Sequence, residues 1–259
     1  MEDMLYRLDN GIAYITINRP QVLNAMSADA LVELTRLLKA AEEDRDVLCV
    51  ILNAAGEKAF CVGGDIKAEV HMDGYTSYDF SLLGQNLVRT IRNVRMPVIS
   101  AIHGYALGAG MEILLASDFA FLSKDAKIAI PSINLGSMAG FCGTQLLPRV
   151  VGAMRAKELL MSGRHIGADE AVSLGLALKA VEREDLLPEA EAFAKELCQK
   201  APFALRCIKM AVNKAMETDL ETGFLLESQL FSRVQASEDK KVGMEAFLAK
   251  EPPSTFINR

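Results

Sequence analysis

Glu112 stands at the end of a stretch whose composition favours chemistry: His103-Gly104-Tyr105-Ala106-Leu107-Gly108-Ala109-Gly110-Met111-Glu112, running into Ile113-Leu114-Leu115-Ala116-Ser117-Asp118. Before it, Pro97-Val98-Ile99-Ser100-Ala101-Ile102 is apolar and β-branched, the pattern of a buried strand. A strand, a glycine turn and a helix in that order leave free N–H groups at the helix N-terminus, where negative charge is stabilised. The neighbours Met111, Ile113, Leu114 and Leu115 predict an apolar surround that raises the pKa of Glu112 toward a useful acid–base range. An acid in a first helical turn also gains about 0.3–1 kcal/mol from the helix dipole with no chemistry attached. Taken alone, the residue leaves both readings open.

A second glycine turn lies upstream, in Ala59-Phe60-Cys61-Val62-Gly63-Gly64-Asp65-Ile66-Lys67. It too is expected just after a sheet strand, where ligands of open α/β sheets bind. Two such turns supply paired backbone donors, as a developing enolate or tetrahedral oxyanion requires. Losing one donor costs about 10²–10³ in rate, or roughly 3–4 kcal/mol. Other glycine chemistries fail on spacing. Gly104-x3-Gly108-x-Gly110 is not a dinucleotide fingerprint, and no GK[ST] marks a phosphate loop. Lys67 reads either as a solvated lysine or as a phosphate ligand. Cys61 and Cys142 read as core fillers, with no base placed to activate them.

The elements that must position these turns follow an α/β order. Residues 3–19 read as a hairpin turning at Asp9-Asn10-Gly11, and Ser27 caps a helix that runs to about Glu43. Val47 to Leu52 is a continuous apolar strand. Residues 69–81 lack periodicity and are expected to be a mobile segment near the site, with Tyr75, Tyr78 and Phe80 either lining a ligand pocket or anchoring the loop, before a helix from about Leu82 to Asn93. Short strands are expected at 119–122 and 127–130, a glycine-punctuated loop at 136–144, and short helices at 153–162 and 169–174. Helices follow over roughly 188–200, 202–216 and 219–236, apolar on more than one side, as in a terminus that packs across subunits.

The bulk properties narrow the function. The chain has 259 residues, 51% of them hydrophobic, enough for one large α/β domain or a domain with an appendage. A net charge of −6 argues against a nucleic-acid partner. No apolar stretch reaches the roughly 20 residues that would span a membrane. Five scattered cysteines read as reduced thiols of the cytoplasm, or of a mitochondrial matrix if a transit peptide has been removed. Three histidines without ligand spacing give no metal site.

The sequence resembles the enoyl-CoA hydratase/isomerase (crotonase) superfamily over essentially its whole length. The resemblance rests on five motifs in order: Ile17-Asn18-Arg19-Pro20 with Leu23-Asn24-Ala25; Ala59 to Lys67; His103 to Glu112; Gly143-Thr144-Gln145-Leu146-Leu147-Pro148-Arg149; and Ser237-Glu238-Asp239 with Gly243 to Leu248. It implies a ClpP-like ββα spiral core over 1–195. It also implies a C-terminal helical trimerisation region over 196–259, and a homotrimer or a homohexamer made of two trimers. A coenzyme A thioester is implied as substrate, with no further cofactor. Carried over by position, the N–H groups of Gly64 and Ala109 form the oxyanion hole. Asn24, Ala25, Gly64, Asp65, Ile66, Lys67 and Ala109 are implied as substrate or CoA contacts, with Lys67 near a phosphate. Glu112 falls on the first of the hydratases' two catalytic glutamates.

One departure complicates the chemistry. Hydratases of this family carry a second glutamate where Ser132 follows Pro131 here. A serine hydroxyl orients water but is too weak an acid to shuttle protons unaided. The reading is hydration of an α,β-unsaturated acyl-CoA, with Glu112 removing a proton from water and returning one to the α-carbon, and Ser132 positioning. A decarboxylase, C–C hydrolase or isomerase of the same superfamily stays open, as does an impaired acyl-CoA-binding subunit.

Overall fold

The computed structural model describes residues 2–252 and residue 256. Strands β1 (Met4–Asp9) and β2 (Ile12–Ile17) form the expected hairpin. Helix α1 (Ala28–Glu43) follows, its first turn capped by Ser27, whose hydroxyl accepts from the Ala30 N–H. Next come β3 (Cys49–Ala54), β4 (Ala59–Cys61), α2 (Ile66–Glu69) and α3 (Gly74–Asn93). The middle of the chain carries β5 (Val98–Ile102), β6 (Tyr105–Leu107), α4 (Ala109–Ala116), β7 (Phe119–Ser123) and β8 (Lys127–Ala129). Then come α5 (Gly143–Val151), α6 (Ala153–Ser162), β9 (Ile166–Gly167), α7 (Ala168–Ser173) and β10 (Lys179–Val181). Helices α8 (Leu186–Cys198), α9 (Pro202–Ala215), α10 (Leu220–Gln235) and α11 (Glu238–Ala249) end the described chain.

The strands divide between two sheets. The larger has the order β1-β2-β3-β5-β7-β10 and is parallel except for β1. Alternation along β2 separates its faces. Ala13, Ile15 and Ile17 enter a core shared with Leu31 and Leu34 of α1 and with Ile113 of α4. Ile12 and Tyr14 face Ala190, Ala194 and Leu197 of α8. Both faces are covered, which is why β3 and β5 are mainly apolar, interrupted by Asn53 and Ser100. The smaller sheet, β4-β6-β8-β9, is built from strands of two or three residues.

Several elements differ from expectation. The mobile segment expected over 69–81 is instead occupied from Gly74 by α3. Its start is set by a capping box: the Asp73 carboxylate accepts from the Thr76 N–H at 2.8 Å, and the Thr76 hydroxyl accepts from the Asp73 N–H at 2.9 Å. Such a cap supplies bonds that apolar periodicity does not reveal. The loop at 136–144 ends at Gly143, where α5 begins. The terminal motif from Glu238 forms α11. A boundary at 195/196 falls inside α8, which belongs to the sheet packing.

Helix α9 is fastened to the core by one buried cation. Lys209 Nζ lies 2.7 Å from Asp118 Oδ2 and donates to the carbonyls of Ile91 and Met96. Among the described residues no helix is long and apolar enough to cross a membrane.

Candidate active site

The two glycine turns leave the smaller sheet side by side. Strands β4 and β6 are parallel neighbours, with Ala59 opposite Tyr105 and Cys61 opposite Ala106. These three-residue strands lie between the turns and the longer β3 and β5 that the sequence made visible. An ideal Cβ on Gly108, which has φ of +50°, would stand 3.2 Å from the Gly63 Cα. One on Gly110 would stand 2.4 Å from the Cys61 carbonyl oxygen. Only glycine permits both the conformation and the approach.

Gly64 is held by an isolated parallel bridge to Met26. The Met26 N–H donates to the Gly63 carbonyl at 2.8 Å, and the Asp65 N–H to the Met26 carbonyl at 3.0 Å. Among the described residues nothing accepts from the N–H of Gly64 or of Ala109, the first residue of α4. Two touching turns therefore present two open donors, the arrangement that stabilises a developing oxyanion.

Glu112 lies one turn into α4 and is 3% exposed. Its Oε1 accepts from the Phe141 N–H at 2.8 Å and the Gly143 N–H at 2.7 Å. Burial pushes the carboxyl up to about 7, against the opposing effect of those two bonds. Between the donors Cys142 has φ of +89°, which lets two alternate N–H groups converge on one oxygen as a small nest. Sequence reasoning missed this nest, because a positive φ at a cysteine leaves no compositional trace.

A further set of contacts holds the nest. The Phe141 ring meets Phe80 of α3 edge to face, centroids 5.2 Å apart. Gly84 leaves room for it, since a Cβ there would lie 2.0 Å from Phe141 Cδ1. Ser81 Oγ donates to the Gly140 carbonyl at 2.6 Å. Phe80 is buried for this purpose, whereas Tyr75 and Tyr78 are exposed on the same helix.

Ser132 sits in a single 3-10 turn, Pro131–Leu135, and lines a cavity of about 450 Å³ together with Ile130, Met138, Ala139 and Leu160. Ile130 and Ala139 also crowd Gly143, as Glu112 Oε1 does, so that wall adjoins the carboxyl. Asp65 caps α2 by accepting from the Lys67 N–H at 3.1 Å, and Ile66 and Lys67 are exposed beside the turn. Ala25 is buried, and its carbonyl accepts from the Arg19 guanidinium.

The side chain of Asn24 is turned inward. It is 1% exposed. Its Nδ2 donates to the carbonyls of Ala55 and Ala59, and its Oδ1 accepts from the Arg19 N–H. With every amide group used, Asn24 ties the Pro20–Val22 turn to the start of β4. Cys61 is fully buried, and burial pushes its thiol up to about 12, so it is no nucleophile.

The link from α3 to Glu112 is testable. Gly84→Ala should displace the Phe141 ring, lengthen its N–H bond to Glu112 and raise the carboxyl above 7 in a ¹³C-edited NMR titration. An unchanged titration in a folded variant would mean that the nest does not depend on α3.

Comparisons with known proteins agree with this geometry. A family model described as enoyl-CoA hydratase/isomerase matches residues 7–256. The chain is 37% identical over 259 residues to a short-chain-enoyl-CoA hydratase of Clostridium acetobutylicum, covering all of this chain and 99% of that one. It is also 37% identical over 258 residues to a crotonyl-CoA hydratase of Syntrophomonas wolfei, again covering all of this chain and 99% of that one. The crystal structure of an enoyl-CoA hydratase from Bacillus anthracis superposes with a TM-score of 0.95 at 32% identity, covering both chains fully. The crotonase fold, the paired turns and the whole-length match place this chain in the enoyl-CoA hydratase/isomerase family.

Proposed function

We propose that this chain is a hydro-lyase that adds water across the α,β double bond of an enoyl-CoA thioester, with Glu112 as its base. The observation that carries the reading is the buried Glu112 carboxyl, held by two N–H groups beside the open donors of Gly64 and Ala109. Those donors would bind the thioester oxygen, drawing electrons from the β-carbon. Water held by Glu112 attacks that carbon as the carboxylate takes its proton, and the charge collects on the thioester oxygen as an enolate. Protonation of the α-carbon completes the addition, and Ser132 would orient the water.

The cavity beside Ser132 suits the acyl group, being lined mainly by apolar side chains and adjoining the wall at Glu112. Gly64, Asp65, Ile66 and Lys67 run outward from the donor pair and suit the CoA portion, with the Lys67 ammonium available to a phosphate. The chemistry needs no cofactor beyond the substrate. The scattered free thiols favour a reducing compartment, the cytoplasm or a mitochondrial matrix.

Helices α9 to α11 expose Ile208, Val212, Phe224, Leu225, Phe231 and Phe247. This much apolar surface on consecutive helices supports self-association as a trimer or a dimer of trimers. Sedimentation equilibrium should then give three or six times the 28.2 kDa chain mass. A monomer at micromolar concentration would refute it.

The decisive variant is Glu112→Gln. Crotonyl-CoA hydration, followed by loss of the conjugated thioester absorbance, should fall about 10²–10⁴-fold, with crotonyl-CoA binding by calorimetry unchanged. The active form of Glu112 is the carboxylate, and burial raises its pKa, so the proton stays on until about pH 7. Wild-type kcat/KM should therefore rise with pH as it passes through about 7. Full activity in Glu112→Gln would exclude the mechanism.

A further inference from the structure

The turn that presents Gly64 also carries a second carboxyl. Glu69 ends helix α2 and folds back across Gly64: an ideal Cβ on that glycine would lie 1.7 Å from Glu69 Oε1, 2.9 Å from Glu69 Cδ and 3.3 Å from Phe80 Cε1. The carboxyl thus lies against Gly64, with Phe80 beside it. Phe80 meets Phe141, whose N–H binds Glu112, so the two acids border one continuous cluster. Glu69 is half-buried, and among the described residues no cation or hydrogen-bond donor holds it. Burial first and the charge of Asp65 second raise its carboxyl above the usual range.

A carboxylate in that place would repel the charge that gathers on a thioester oxygen bound at Gly64. A carboxylic acid there would be free of that repulsion and would set a proton close to a thioester carbonyl bound at Gly64, to which the α-carbon is directly bonded. We propose that Glu69 is the catalytic acid that protonates the α-carbon, supplying from α2 the second acid that Ser132 cannot. The proposal rests on the reading of Gly64 and Ala109 as donors to the thioester oxygen.

The step balances without a co-reactant. As the Glu112 carboxylate takes a proton from water, the new O–Cβ bond forms, the alkene pair shifts toward the carbonyl carbon, and the carbonyl pair moves onto oxygen. Its return breaks the O–H bond of Glu69 and forms the Cα–H bond. Glu112 ends protonated and Glu69 ionised; Glu112 then loses one proton to solvent and Glu69 gains one. The sum is the addition of one water.

In reverse, ionised Glu69 should remove an α-proton from a saturated thioester, which gives an assay independent of hydration. Wild-type enzyme in D₂O should place deuterium at the α-carbon of butyryl-CoA, read by mass spectrometry. Glu69→Gln, nearly isosteric and expected to melt at the wild-type temperature, should slow that exchange about 10²–10⁴-fold. It should lower kcat for crotonyl-CoA to a similar extent, with KM within about threefold. Glu69→Asp should regain part of both rates. Exchange at the wild-type rate in Glu69→Gln, or none in the wild type, would overturn the proposal. Wild-type exchange lost in Glu69→Gln, without any hydration by the wild type, would refute the hydratase reading and leave Glu69 as the acid.

Discussion

The site depends on one desolvated carboxyl. Glu112 is buried among the apolar residues of a short helix, and such a group stays charged only with hydrogen-bond donors directed at it. The N–H groups of Phe141 and Gly143 provide them, and both come from a loop remote in sequence. Two bonds to one oxygen offset the desolvation only in part, which leaves the carboxyl near 7 rather than in the ordinary range. A group balanced in this way can both take and give a proton at neutral pH. The other oxygen makes no hydrogen bond among the described residues.

The rest of the fold supplies rigidity to that arrangement. The larger sheet, covered by α1, α3 and α4 on one face and α8 on the other, fixes β3 and β5. The smaller sheet extends this frame to the paired turns, where Gly108 and Gly110 let backbones meet that any side chain would separate. Asn24 serves the same end by fastening the N-terminal turn to β4. Residues that resemble ligand contacts in sequence can thus act by holding the backbone that makes the contact.

What was legible in the sequence was what has a period or a composition. The apolar runs of β2, β3 and β5, the Ser27 cap and the leucine stripe of α1 are all read directly, and so are the two glycine turns and the apolar surround of Glu112. The short strands β4 and β6 were not, because three residues carry no alternation. The start of α3 was hidden because Asp73 and Thr76 cap it through side-chain geometry rather than through a hydrophobic pattern. The Phe141–Gly143 nest and the approach of Glu69 to Gly64 both arise from tertiary contact, and local propensity says nothing about either.

The coupling of the paired turns to a thioester is most directly measured on the bound carbonyl itself. Infrared difference spectra of crotonyl-CoA labelled with ¹³C at the thioester carbon would report its bond order in the complex. Two donors from Gly64 and Ala109 should shift the carbonyl band to lower frequency than in water, as electron density moves onto oxygen. A bound thioester that keeps its aqueous frequency would contradict an oxyanion site at these turns.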